Sequence, residues 1–423
     1  MVRRKIIFFY EFIDTYNMSA IPPAFFPVLK QFAEFSRKKV KINMLNKSTA
    51  INGELTQIRL LEGKLDMSTF SIGGKFTTAT TAGYATIGHI NHAIEQILVE
   101  VGSVQLHPSF NYYNQVWDIM NTYTGGWTKS GVNGILHLQN TASTVAANMS
   151  AVPFQLSQFL GALNDFKILP TDRLPPVTIS IRWAQPNVLA CSTGTTGAAF
   201  AITDLYVLVD ALKLSPVYDN LVSDHLAQSP LQMPYNNFQV IPCQQGGLTA
   251  TNRFSSTADS LERAYVTYIP TTYQNQNQAI DTTTLSSAVF THGSPNLING
   301  YSGRFTVNGF SFPDMASYNE RGEVLKSTLE TLNEDKDVTS LIHPNLNTLG
   351  RFSTNFFVHG VNFSWNDVDS DVRKCGISAL GQNLQGSYES FGNGQSDQVQ
   401  PLIILQTKSV LEVGPARSVR VIY

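Results

Sequence analysis

The sequence predicts an all-β protein built as two β-sandwiches in tandem, with short helices at the N-terminus and in loops. Three observations predict it. From about residue 50 onward, short segments rich in Val, Ile, Thr, Phe and Tyr alternate with Gly, Pro and Asn, which is the texture of strands and turns. The strand candidates are too many for one sandwich and suit two. No fixed-period repeat points to a solenoid, and nothing approaches the roughly 18 consecutive apolar residues of a membrane-spanning helix.

The first element is a basic arm, residues 1–49. Residues 1–50 hold nine cations (Arg3, Arg4, Lys5, Lys30, Arg37, Lys38, Lys39, Lys41 and Lys47) and three acids (Glu11, Asp14 and Glu34), a net charge of +6 in a chain whose total is −2. Phe25, Val28, Leu29 and Phe32 recur at the spacing of one helical face, with Phe26 beside them and Pro22, Pro23 and Pro27 before or within the first turn. This predicts a short amphipathic helix over Ala24–Arg37, followed by Arg37-Lys38-Lys39. Such a helix packs on its own domain or docks on a membrane or inner surface. The basic then apolar start is cut by Glu11 and Asp14 too early for a signal peptide, so the protein is expected to stay on the cytosolic side of synthesis.

Strands follow at Leu55–Leu61, Leu65–Ile72, Ile97–Leu106, Val177–Trp183, Leu205–Leu212, Phe238–Ile241, Tyr265–Ile269, Phe356–Val361, Leu402–Thr407 and Ser418–Ile422. The expected division places one sandwich over residues 50–225 and another over 226–423. Further helices are expected at Tyr112–Asn121 and at Tyr318–Leu332, where Leu325, Leu329 and Leu332 share a face. The polar segments Tyr123–Val152 and Thr271–Pro295 read as long exposed loops, because burying them would orphan backbone groups.

Composition narrows the function. Charged residues make 14% of the chain where about 25% is usual, and a surface so short of charge suits coverage by other subunits. Cys191, Cys243 and Cys375 are odd in number and far apart, which argues against a disulfide framework and leaves a reducing compartment as the default. Catalytic and metal motifs are wanting. Ser71-Ile-Gly-Gly-Lys75 and Gly194-Thr-Thr-Gly197 lack the rest of a phosphate cradle. His89 and His92 have no third ligand nearby in sequence. Asp367, Asp369 and Asp371 begin like a calcium loop without its later Gly and Glu. No GxSxG is present, and the remaining histidines have no visible nucleophile partner. No enzymatic activity, metal or cofactor is expected. Trp117, Trp127, Trp183 and Trp365 admit an alternative, a secreted or fibre-type glycan-binding β-sandwich protein, because aromatic faces stack on sugars.

Four segments, in order, resemble the double jelly-roll major capsid proteins of icosahedral double-stranded DNA viruses: large DNA viruses, virophages, membrane-containing phages and adenovirus hexon. The first is Ile87-Gly-His89, Ile94 to Gly102, Ser103-Val-Gln-Leu-His107 and Tyr112-Tyr113-Asn-Gln-Val-Trp117, where Val101-Gly102-Ser103 replaces the family's double glycine and Leu106-His107 its "ID" pair. The second runs from Val152-Pro-Phe-Gln-Leu156 through Phe159 to Leu163 and Leu169-Pro170, then Leu174 to Trp183. The third is Asp204-Leu-Tyr-Val-Leu-Val-Asp210 with Leu212, Asp224-His225-Leu226 and Gln232. The fourth is Asn308-Gly-Phe-Ser-Phe-Pro313 with the helix to Leu332. The resemblance implies a homotrimer of pseudo-hexagonal outline that tiles an icosahedral shell beside neighbouring capsomers and minor capsid or penton proteins. It implies a virion protein assembled in the host cytoplasm or nucleus, with no sequence-specific nucleic acid as partner. The arm residues Arg3, Arg4, Lys5, Phe25, Phe26, Leu29, Phe32, Arg37, Lys38, Lys39 and Lys41 are then expected on the inner face, against an internal lipid membrane, the genome or a neighbouring subunit.

Overall fold

The computed structural model describes residues 36–108, 110–125, 148–192, 195–213, 216–243, 249–256, 258–270, 278–279, 290, 302–312, 321–332, 357–364, 376–378, 384–391 and 399–423. In the first half, the strands are β1 (Ser36–Asn43), β2 (Leu55–Arg59), β3 (Lys64–Ala79), β4 (Ile94–Val101), β5 (Val104–Gln105), β6 (Val152–Leu156), β7 (Ile168–Pro170), β8 (Val177–Trp183) and β9 (Ala199–Lys213). One sheet runs β1-β9-β3-β6, with β7 also beside β3 and Ala50–Ile51 beside β9; the facing sheet runs β2-β8-β4-β5. Ile72, Phe76, Val207 and Val209 of the first sheet and Ile58, Val99, Ile179 and Ile181 of the second belong to one buried cluster.

The long strands β3 and β9 stay in the core because each changes phase. Buried positions in β3 fall at Leu65 and Met67, then at Phe70, Ile72 and Phe76; in β9 they fall at Phe200 and Ile202, then at Leu205, Val207 and Val209. Strict alternation would turn half of either strand outward. The pairing of β9 with β3 slips at Leu208/Asp210 and at Thr203/Tyr206, where those phase changes occur, and Asp204 takes a positive φ of 54° inside the second bulge.

Two expectations about the arm need correction at its C-terminal end. Residues Ser36–Asn43 form a strand of the first sheet, in register from Ser36 opposite Lys213 to Asn43 opposite Tyr206, so the expected helix does not reach Arg37 and the basic run after it is not separate from the sandwich. Its β-branched Val40 and Ile42 supply the reason: Ile42 is buried, Val40 packs against the core, and the cations Arg37, Lys38, Lys39 and Lys41 around them remain exposed. The rest of the expected helix over Ala24–Arg37 lies outside the described residues.

In the second half, the strands are β10 (Leu231–Pro242), β11 (Thr249–Ser256), β12 (Leu261–Pro270), β13 (Ser302–Val307), β14 (Phe310–Phe312), β15 (Val358–Asn362), β16 (Leu384–Phe391), β17 (Val399–Val413) and β18 (Val419–Ile422). They form sheets β10-β17-β12-β15, with β18 beside β17, and β11-β16-β13-β14. Leu402, Ile403, Ile404 and Leu405 are all fully buried, the mark of a central strand covered on both faces.

The described helices are α1 (Tyr113–Met120), the single turn α2 (Ala162–Asp165), α3 (Pro216–Gln228) and α4 (Arg321–Thr331). The sequence reading located α1 and α4 to within three residues and missed α3, which links the two halves. Thr328 of α4 donates its hydroxyl to Val358 O (2.6 Å) and Ser327 to Gly360 O (2.7 Å). Gly360 permits this approach, since a Cβ there would lie 3.2 Å from Thr331 Cβ. The expected outer loops Tyr123–Val152 and Thr271–Pro295 fall mostly outside the described residues.

A polar seam joins the halves. Tyr235 donates to Leu106 O (2.8 Å), Asn236 N–H to Asp165 Oδ2 (2.7 Å), and His107 Nδ1 lies 2.9 Å from Asn237 Oδ1. Phe110 stacks on Phe238 at 5.2 Å, and Phe166 meets Tyr235 edge-on at 5.6 Å. Arg417 pairs with Glu62 (3.1 Å), and Tyr423 donates to Gln105 O (2.7 Å).

Candidate interaction surface

Among the sequence-predicted site residues, Arg37, Lys38, Lys39 and Lys41 lie on β1; Arg3, Arg4, Lys5, Phe25, Phe26, Leu29 and Phe32 lie outside the described residues. β1 is an edge strand, and lysines on such an edge discourage pairing with a further strand. Alternation puts Arg37, Lys39 and Lys41 on the outer face of the sheet. There Arg37 forks between two carboxylates: Nη2 lies 2.7 Å from Asp66 Oδ2, and Nε bonds Asp210 Oδ2. The register sets this up, because Asp210 faces Asp66 across β3 and Lys39 across β1.

Lys41 sits over the Tyr206 ring at 4.3 Å from its centroid, a contact of about 0.5–1 kcal/mol at an exposed site. The ring lies against Gly73, where a Cβ would come within 2.4 Å of it. Beside them, Lys75 pairs with Asp204 at 2.8 Å; that bond raises the lysine's pKa and lowers the aspartate's. Lys38 and Lys39 make no ion pair among the described residues. The same end of the sheet exposes Lys167, Ile168, Lys213 and Leu61. The arrangement sets cations that have no ion pair among the described residues next to apolar side chains.

The buried polar residues do structural work. His89 accepts the Asn91 N–H at Nδ1 (3.1 Å), capping the turn Ile90–Ala93, and stacks on Trp117 at 4.2 Å. His92 Nε2 lies 2.9 Å from Asp118 Oδ1, and its ring stacks on Phe290 at 3.8 Å. Asp118 stands 26 residues from His92, and no local pattern in the sequence signals the pair. Among the described residues no three ligating side chains gather as a metal site would need. Cys191 and Cys243 are buried, and burial pushes their thiols up to about 11 and about 12, which makes them inert. Cys375, Asp367, Asp369 and Asp371 lie outside the described residues. Trp183 donates to Thr56 Oγ1 (3.1 Å) inside the core, and Trp117 is buried as well, so neither forms a sugar platform. Trp127 and Trp365 lie outside the described residues.

No family model matches the sequence, and no curated protein does. Solved structures do match over nearly the whole chain. VP54 of PBCV-1, solved as a crystal structure and fitted into a reconstruction of the virophage Sputnik, aligns with a TM-score of 0.56 and 12% identity, over 93% of this chain and 97% of that one. The Faustovirus major capsid protein aligns with a TM-score of 0.56 and 9% identity, over 95% and 92%. The 3.5 Å Sputnik virophage structure aligns with a TM-score of 0.55 and 10% identity, over 92% and 88%.

The fold is the double jelly roll.

Each two-sheet half described above is therefore one roll, and the basic strand β1 lines the edge of the first. The comparisons give no support to the glycan-binding alternative.

Proposed function

We propose that this chain is the major capsid protein of an icosahedral virus, a structural subunit that trimerises into pseudo-hexagonal capsomers and tiles a shell. One observation carries the reading: the double jelly roll accounts for nearly all of this chain and nearly all of the PBCV-1 protein. Support comes from the sparse charge of the chain, 14%, which suits a surface consumed by neighbours. No enzymatic activity is assigned. In this reading residues 50–225 with β1 form the first roll and 226–423 the second. Residues 1–41, with Arg3, Arg4, Lys5, Phe25, Phe26, Leu29 and Phe32 leading into the β1 cations, lie at the inner base of the shell, against an anionic surface or a neighbour's underside. Neighbouring capsomers and minor capsid proteins are its further partners, in the virion.

Mass photometry of the purified protein tests the reading. The expected species has about three times the 46.6 kDa chain mass and persists on dilution, as an obligate interface of over about 2,000 Å² would. A folded monomer at micromolar concentration in physiological salt would sink it.

A further inference from the structure

The seam between the rolls contains a histidine with no use for a second proton. His107 is fully buried. Its Nε2 accepts the Ala162 N–H at 3.0 Å, so that nitrogen carries a lone pair. The ring's single proton then sits on Nδ1, which donates to Asn237 Oδ1 of the second roll at 2.9 Å. The ring packs against Gly161, whose φ is +71° and where a Cβ would lie 2.6 Å from His107 Cε1, so only glycine lets the backbone come this close. Adding a proton at Nε2 would set two donors against each other inside a buried seam.

We propose that this seam is an acid-operated joint: His107 fastens the second roll to the first only in its neutral form, and acidification frees the rolls at this contact before either sandwich core melts. Burial pushes the imidazole down to about 4, against the opposing effect of the Asn237 bond. Asp165, which accepts the Asn236 N–H across the same seam, is shifted up by burial. As the pH falls, Asp165 loses the charge that this N–H addresses and His107 gains the proton that its cage excludes, so both titrations loosen the same joint. The tyrosines around it do not oppose this. Tyr235 of β10, Tyr113 of α1 behind Phe110, and Tyr423 near Tyr235 are all shifted upward by burial and stay neutral in acid. Lys408 of β17 faces Asp165 and opposes the effect of burial on it. A histidine lowered from 6.5 supports the closed seam fully above that value, and the support drains away as the pH falls to about 4.

Hydrogen exchange of the full-length protein, corrected for intrinsic rates, tests this from neutral pH down to about 4. Peptides containing the Ala162 and Asn236 amides are expected to lose about tenfold or more of their protection, while those spanning Val207–Val209 and Leu402–Leu405 keep theirs. In His107→Gln, which can donate and accept without titrating, that loss should be absent or displaced to lower pH. Simultaneous loss of protection in seam and core, or a seam unchanged at about pH 4, overturns the proposal. If His107→Gln does not fold, the wild-type pattern alone decides between these outcomes.

Discussion

Replacing Arg37 by Ala removes the only side chain that bridges β1 to both Asp66 and Asp210 among the described residues. An exposed ion pair contributes about 0.2–1 kcal/mol, whereas stripping the partner from a buried charge costs about 3–5 kcal/mol. This fork lies between those limits. The Arg37 side chain is 46% exposed, but Asp210 retains 10% and Asp66 18%, and Asp210 Oδ1 has no hydrogen-bond partner among the described residues. A loss of about 2 kcal/mol follows, with most of it residing in the stranded Asp210 carboxylate. Urea unfolding of the first roll measures it, and Asp210→Asn in the Arg37→Ala background should recover about half, since the amide carries no charge to strand. A loss below about 0.5 kcal/mol, or no recovery in the double variant, would refute the argument that this pair clasps the basic strand to its sheet.

The second roll offers a sharper packing test: Phe305 is fully buried against Tyr388 at a centroid distance of 4.7 Å, so Phe305→Ala should cost about 3–5 kcal/mol, while Phe310→Ala, at a residue 70% exposed, should stay within about 0.5 kcal/mol in the same denaturation assay. Stability should also fall with acid. Burial pushes His359 down to about 3 and His107 to about 4 from 6.5, so between these limits the unfolded chain binds protons that the native one refuses, and each histidine should contribute about 1.4 kcal/mol of lost stability per pH unit. Urea midpoints that hold level or rise from pH 6.5 toward 4 would contradict it.

Much of the fold is legible because strands announce themselves by what they bury. Val177–Trp183 is read to the residue, since Val177, Ile179, Ile181 and Trp183 alternate without interruption. β3 and β9 are read as half their true length, because each bulge breaks the alternation that would have extended them. β1 escapes for a different reason: in Arg37-Lys38-Lys39-Val40-Lys41-Ile42 four cations hide the two inward apolar positions, Val40 and Ile42, and charge at an edge strand looks like charge on a helix. α3 has apolar residues at Val217, Leu221 and Leu226 without a clean helical face, so only its connecting position is visible. The interaction surface is half legible. The cations are plain in the sequence, but Asp66 and Asp210, which occupy Arg37, come from strands 29 and 173 residues away. Only the register of β9 with its neighbours brings them together.

The sheet order carries a consequence for synthesis. Apart from the short pairing of Ala190–Cys191 with Gln278–Ala279, the first roll's sheets draw only on residues 36–213, and it can close while the following residues are still being translated. The second roll cannot. Its central strand β17 pairs with β10, β12 and β18 and arrives only after residue 399 has left the ribosome, so β10 and β12 must wait with apolar edges open. A finished first roll standing beside them, its seam residues Leu106, His107 and Asp165 already in place, gives β10 a template in the nascent chain and shields it from pairing with another nascent copy.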